Sequence, residues 1–363
     1  MPDYRLGELF CGPGGLGYAA INASIEENND RIVHAWANDY DSDTCNTYIH
    51  NICPDDPESV VCGDVRRIDL SQFGPIDGFA FGFPCNDFSL VGEQLGFNGT
   101  FGPLYTYGIQ ILEHYHPQWF LAENVGGITS ANEGTAFNVI QEAMINAGYR
   151  IYPNLYKFEQ YGVPQARHRV IIVGIRNDLP YEFRIPAPTT PTADTYRTSR
   201  MAFEEGNYPG EGNVALVNTH NERTAHPELT RRRLEAIPPG ENAWYEGLPE
   251  ELRLNVRGAR LSQIYRRLHP DAPAYTLTGS GGGGTHMYHY AEPRALTNRE
   301  RARIQTFPDT YIFSGGRESV RKQIGMAVPA LGAKIIFEAI LKTFSNIEYD
   351  YVEPNLRFEE LNE

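Results

Sequence analysis

The sequence predicts an α/β protein: a doubly wound, mainly parallel sheet, with a second, smaller and irregular domain. Three observations carry that expectation. Short apolar runs alternate with helical stretches through residues 6–150, the pattern of parallel strands joined by crossover helices. A glycine turn, Gly12-Pro13-Gly14-Gly15, stands between the first apolar run and the first helical stretch. From Asn177 onward the texture changes to Pro, Thr and Arg without periodicity.

Taken in order, strands are expected over 4–10, 32–38, 76–82 and 119–123, and a short one before Gly63-Asp64-Val65. Helices are expected over 18–25, 43–50 and 104–115. Residues 149–158 and 169–175 read as later strands of the same sheet, so a first domain spans 1–177. Residues 178–290 form the loop-rich second module, punctuated by Pro180, Pro186, Pro188, Pro191, Pro238-Pro239-Gly240 and the glycines at 281–284. Such a glycine run serves either as a linker or as a place where backbone approaches a partner. Residues 291–345 are expected to return and complete the first domain. They carry a helix over 297–305, capped by Asn298, and a last helix after Val328-Pro329 with the apolar stripe Leu331, Ile335, Ala339 and Ile340. The tail 346–363 holds six acids and one Arg and reads as a surface segment.

The chain has 363 residues and a formal charge of −15, unevenly placed. Residues 1–150 hold 5 Arg, no Lys and 20 acids; residues 151–363 hold 26 bases and 26 acids. The stretch 223–303 has 13 Arg against 9 acids. A net acidic protein still binds nucleic acid when its positive charge lines one face, although on charge alone these arginines are as readily scattered surface residues. The N-terminus has no basic stretch followed by an apolar run, and no apolar run approaches the ~20 residues of a membrane span. Five cysteines (11, 45, 53, 62 and 85), with no Cys-x-x-Cys pair, argue against a disulfide framework or zinc knuckle and for a reducing cytoplasm.

The glycine turn lets a ligand touch backbone N–H groups at a helix N-terminus. Asp39 follows the second strand, where an acid can grip ribose hydroxyls, and Asp64 follows the third. Together they suggest an adenosine-containing cofactor, while the turn alone is equally a structural turn. Pro84-Cys85-Asn86-Asp87-Phe88-Ser89 follows a buried strand at the ligand-binding end of such a sheet. A cysteine there is either an exposed nucleophile with a lowered pKa or a small buried hydrophobe. The glycines at 92, 96 and 99 give the next loop the composition of a lid. Glu123-Asn124-Val125 sits at the same edge, either as a carboxyl acting on a ring nitrogen or as a helix cap. Gln165-Ala166-Arg167-His168-Arg169 places two arginines at i and i+2 entering a strand, both on one face.

In their order these blocks resemble the cytosine-5 DNA methyltransferases of bacterial restriction–modification systems. The matching blocks are Phe10-Cys11-Gly12-Pro13-Gly14-Gly15, Pro84-Cys85 with Phe88-Ser89, Glu123-Asn124-Val125, and Gln165-x-Arg167-x-Arg169. The later blocks are residues 294–300 with Gln305-Thr306-Phe307-Pro308, and Gln323-Ile324-Gly325 with Val328-Pro329. The resemblance implies a Rossmann-like S-adenosylmethionine methyltransferase fold, and a target-recognition domain in the variable 178–290 region. It implies transfer of a methyl group from S-adenosyl-L-methionine to carbon 5 of a flipped-out cytosine, through a covalent adduct of Cys85. Glu123 then acts at ring nitrogen 3, Arg169 at the carbonyl with Arg167 beside it, and Asn124 orients the group. Phe10, Gly12, Gly14, Gly15, Asp39, Tyr40, Asp64, Val65, Pro84, Leu104, Met326 and Val328 are the implied cofactor residues. Ser89, Gln165, Arg257 and Arg260 are the candidate contacts to double-stranded DNA, within a wider set at 231–233, 253, 266 and 267. No metal is implied. A monomer is expected, with a cognate restriction endonuclease acting on the same site as its functional counterpart.

Three positions depart from the family pattern: Asn86 replaces a Gln, Phe101 an Arg in a lid (86–103) without Lys or Arg, and Met326 an Asn. Three other readings compete. The related branch that methylates tRNA typically has Thr where Ser89 stands. A silent DNA-binding homologue sits poorly with an intact Cys85, Glu123 and Arg169. A nicotinamide-dependent dehydrogenase would explain the glycine turn but not the Pro-Cys and Glu-Asn-Val blocks.

Overall fold

The computed structural model describes residues 3–83, 104–129, 135–255, 261–279 and 285–356. The strands in chain order are β1 (Asp3–Leu9), β2 (Arg31–Asp39), β3 (Val60–Cys62), β4 (Gly78–Gly82), β5 (Trp119–Val125), β6 (Tyr149–Lys157), β7 (Gln165–Ala166), β8 (His168–Arg176), β9 (Ile185–Pro186), β10 (Ala274–Tyr275) and β11 (Tyr351–Val352). The helices are α1 (Gly15–Ile21), α2 (Ser42–Ile52), α3 (Tyr105–Tyr115), α4 (Thr135–Asn146), α5 (Ser199–Glu204), α6 (Glu228–Ala236), α7 (Asn298–Ile304), α8 (Arg317–Met326) and α9 (Ala330–Phe344).

Seven strands form one sheet in the order β3-β2-β1-β4-β5-β8-β6. The pairs β1–β2, β1–β4, β2–β3 and β4–β5 are parallel, whereas β8 runs antiparallel to both β5 and β6. The reversal follows from chain length. Lys157 is registered opposite His168, and the segment between them is too short for a parallel crossover, which needs a dozen or more residues.

Both faces of the sheet are covered, so its strands read as nearly continuous apolar runs. On one face Phe79, Phe81 and Phe120 pack with Ile109, Leu112, Phe137 and Ile140 of α3 and α4. On the other, Trp119 meets Phe337 of α9 edge-on at 5.9 Å, and Tyr4 meets Phe344. Large and small residues alternate across the strands. A Cβ on Gly174 would lie 2.0 Å from the ring of Phe120, its partner in register.

The chain divides into two compact units. The first comprises Met1–Lys157, His168–Pro188 and Ala330–Glu363, and the second Phe158–Arg167 and Thr189–Pro329. The return to the first unit therefore begins at Ala330, not near 291. Residues 291–329 cluster with the second unit because α7 packs on α5, and Arg303 of α7 donates to the carbonyls of Ala202 and Phe203.

Several local expectations change. The helix at 298 is capped by Thr297, not Asn298: the Thr297 hydroxyl accepts from Glu300 N at 3.1 Å, and Glu300 accepts from Thr297 N at 2.8 Å. This is the Thr-x-x-Glu capping box, and Asn298 is the first helical residue. Leu331 and Ile335 are only half-buried, and the buried stripe of α9 runs through Ala333, Ile336, Phe337, Ile340, Leu341 and Phe344. Helix α4 was not expected. The tail is not all loose surface either: β11 pairs with β9, and Asn355 bonds across to Asn154 and Leu155. By length and composition, 317–344 qualifies as a membrane-spanning helix, against the expectation that none would. It is interrupted between Met326 and Ala330, and 72% of its apolar window is buried inside the protein.

Candidate active site

The first unit gathers its functional candidates at the C-terminal ends of β1, β2, β4 and β5. The chain leaves β1 through Phe10, whose φ is +55°, and turns at Gly12 (φ +56°) and Gly14 (φ +92°). These left-handed positions suit glycine. Asp39, at the end of β2, holds the turn: its Oδ2 accepts from Gly12 N at 3.0 Å and its Oδ1 from Asp41 N at 3.1 Å. Burial pushes the Asp39 carboxyl up from its usual range, against those hydrogen bonds. The space beside the turn is open, since a Cβ on Gly12 would meet nothing within 4 Å. Tyr40 is 64% exposed next to it. Asp64 caps the turn at Val65–Arg67, and its side-chain bonds to Arg66 hold it down at about 2. Val65 and Leu104 are buried in the same apolar cluster, against which Phe10 packs. An open glycine turn between an acid and an exposed aromatic fits an adenosine ligand.

Glu123 and Asn124 end β5, and Arg169 begins β8, registered opposite Val125. Arg169 Nε stands 2.9 Å from Glu123 Oε1, and both side chains are 13% exposed. Burial lowers the Arg169 pKa, and Glu123 opposes that shift. A second Arg169 nitrogen donates to the His168 carbonyl at 2.7 Å. Gly82 is registered opposite Glu123, and a Cβ there would lie 3.2 Å from Glu123 Oε2. Asn124 is buried; its amide donates to Phe83 O at 3.2 Å and its carbonyl accepts from Val125 N. Asn124 thus pins the chain where it leaves β4. Pro84, Cys85 and Ser89, with the whole lid, lie outside the described residues, as do Arg257 and Arg260.

The second unit holds Gln165, Arg167, Met326 and Val328. Gln165 was expected at the DNA, but it is fully buried. Its amide donates to Gln305 Oε1 at 2.5 Å and its carbonyl accepts from Leu277 N at 2.8 Å. Arg167 is also buried and donates to Leu277 O at 2.9 Å, so these side chains tie β7 to the segment just past β10. Gln305 continues the chain to Ala327 O. It stood in a matching block without an assigned role, and only the fold gives it one. Val328 is buried, whereas Met326 is 61% exposed.

Of the wider arginine set, Arg233 and Arg267 are buried and spent on backbone carbonyls. Arg231 is paired with Glu228 and Glu235, and Arg253 donates to Leu248 O. Arg266 lies over the Tyr275 ring.

The sequence model of the C-5 cytosine-specific DNA methylases matches residues 4–342. The chain belongs to that family. It is 56% identical over 370 residues to the type II methyltransferase M.BbvI of Brevibacillus brevis, covering 99% of this chain and 96% of that one. It is 38% identical to M.NgoFVII of Neisseria gonorrhoeae, covering 95% and 88%. Among solved structures, one described as a DNA modification methyltransferase from an Escherichia coli prophage matches with a TM-score of 0.71 and 21% identity, over 94% of this chain and all of that one. Spodoptera frugiperda DNMT2 matches with a TM-score of 0.60 and 16% identity, over 94% and 100%. The protein is therefore a DNA cytosine-5 methyltransferase with the mainly parallel sheet of those structures. The methylase carries its Glu123–Arg169 pair where the family block and the sheet edge coincide.

Proposed function

We propose that this methylase modifies one cytosine within a specific duplex sequence through a covalent step at Cys85. The Cys85 thiolate adds to carbon 6 of the flipped cytosine, forming an Sγ–C6 bond and raising electron density at carbon 5. The Gly12–Gly15 turn, with Asp39, Tyr40 and Asp64, would hold S-adenosyl-L-methionine, which would supply the methyl group for carbon 5 and leave as S-adenosyl-L-homocysteine. Loss of the carbon 5 proton and breakage of the Sγ–C6 bond then release the base and regenerate the thiolate. Glu123 faces ring nitrogen 3 and keeps its proton placement favourable to attack, and Arg169 faces the carbonyl oxygen. Asn124 positions the strand exit that carries Cys85.

The observation supporting this reading most directly is the 2.9 Å Glu123–Arg169 pair at the sheet edge from which the Cys85 segment departs. The pair joins a carboxyl that can give a proton to ring nitrogen 3 to a donor for the ring carbonyl, which suits one edge of cytosine. Residues 178–290 serve target recognition, and a monomer working in the cytoplasm beside a cognate endonuclease completes the reading. Incubation with S-adenosyl-L-methionine and duplex DNA, followed by mass spectrometry, tests it. 5-Methylcytosine in DNA supports it; methylation confined to tRNA, or none, overturns it. Bisulfite sequencing of DNA from expressing cells then gives the recognition sequence.

A further inference from the structure

Buried arginine recurs in the second unit, and the neighbours of Arg301 along the chain spend their terminal nitrogens on carbonyls and carboxylates, with the Nε of Arg294 left buried and unpartnered. Arg267 donates to the carbonyls of His289, Leu234, Ile237 and Tyr290. Arg299 donates to those of Pro308 and Tyr311. Arg303 meets Asp309, and Arg294 grips Glu300 with both terminal nitrogens. Arg301, on the same helix α7, is only 4% exposed, yet its guanidinium makes no hydrogen bond or ion pair among the described residues.

The groups acting on it are Arg321 on α8, Tyr275 on β10, Glu300 on α7, and Tyr288; among them Glu300 is the one carboxylate and Arg321 a like charge. The Glu300 carboxylate is already bound by Arg294 and by the Thr297 N–H. Arg321 reaches Glu318 with one terminal nitrogen at 2.8 Å, while its Nε is buried without a partner. His286 feels both arginines together with His226, and it meets the Tyr288 ring edge-on at 6.3 Å. Burial lowers the Arg301 pKa only to about 10, so the group stays cationic at neutral pH. A largely buried arginine with no protein partner is unfavourable, and proteins break this rule where a site awaits a ligand.

We propose that Arg301 and Arg321, with His286 beside them, form a phosphate-binding site, and that it takes a backbone phosphodiester of bound DNA. The proposal rests on the DNA reading above. Guanidinium forks match phosphate oxygens bidentately. Glu318, 82% exposed at the outer end of Arg321, marks the solvent side, and an entering phosphate displaces it. Free inorganic phosphate has the same chemistry and serves as an independent probe.

The test uses the full chain with Arg301→Met, Arg301→Lys and Arg321→Met. Thermal unfolding is followed while sodium phosphate replaces chloride at constant ionic strength. Binding to a non-target duplex is measured against salt. Phosphate should raise the melting temperature of the wild type and Arg301→Lys but not of Arg301→Met. The salt dependence of DNA binding should lose a slope of about 1 in Arg301→Met. A response to phosphate with an unchanged DNA slope supports the site with free phosphate as its ligand. If Arg301→Met melts higher than wild type, and both responses survive in it and in Arg321→Met, the site is overturned and Arg301 is a structural charge. Should Arg301→Met not fold, Arg321→Met carries both readouts. A wild type that binds no DNA yet responds to phosphate through Arg301 would instead sink the DNA reading and leave the site standing.

Discussion

Arg169 Nε and Glu123 Oε1 are 2.9 Å apart, with both side chains largely removed from water. The pair spans adjacent antiparallel strands, β5 and β8, so the sheet itself sets their separation. Glu123 is the counter-charge acting on the buried Arg169, so removing its carboxylate leaves a buried charge behind.

Glu123→Gln is therefore expected to lose at least about 100-fold in methyl transfer. It should also lose stability on the order of 3 kcal/mol, because Arg169 stays buried and uncompensated. Single-turnover methylation and denaturant unfolding measure the two effects. S-adenosyl-L-methionine affinity should not change, and a variant keeping a tenth of wild-type rate would remove Glu123 from the chemistry.

Cys85→Ala should abolish methyl transfer and leave duplex binding intact, since only the covalent step is lost. DNA with 5-fluorocytosine at the target should trap the wild type as a covalent complex stable to denaturing electrophoresis, because fluorine does not leave as a proton does. Turnover by the Ala variant would end the nucleophile assignment.

Glu8 is fully buried on β1, accepts from the Tyr48 hydroxyl at 3.0 Å, and burial raises its pKa to about 8. A carboxyl raised in the folded state contributes stability that is fully present below its unfolded pKa, about 4.3. That contribution is lost as pH rises from there through about 8,. Glu8→Gln should flatten the fall in unfolding free energy across this window, by a few kcal/mol between its ends, as denaturant unfolding at each pH would measure. Parallel curves for the two proteins would show that Glu8 titrates normally.

Met326→Asn should fold and stay active, with less than about tenfold change in kcat/KM, or roughly 1.4 kcal/mol. Met326 is exposed at the end of α8, and exposed substitutions shift stability by only about 0.5 kcal/mol. A hundredfold loss of activity would mean that methionine has a specific role in the reaction.

Gln165→Ala should weaken folding by about 1–3 kcal/mol, because it strands the Leu277 N–H and the Gln305 carbonyl in the interior. The salt slope of DNA binding should not change, since the side chain is not on the surface. A lowered slope with normal stability would return Gln165 to the DNA interface.

The sequence by itself determined the αβ alternation, the parallel core and the order of the functional blocks. Strands buried on both faces are runs of apolar residues, and a glycine turn after such a run is a local property of the chain. The Thr297 cap is a local Thr-x-x-Glu pattern, yet the sequence reading places the cap at Asn298. Tertiary structure alone decided where polar side chains spend their hydrogen bonds. Gln165, Arg233 and Arg267 look like surface groups in sequence, and burial among carbonyls turns them inward. The unpaired Arg301 could not be seen either, since it differs from its satisfied neighbours Arg299 and Arg303 only in what surrounds it. Periodicity reports which face of an element is apolar. Partners drawn from segments a hundred residues away depend on packing, which no local window contains.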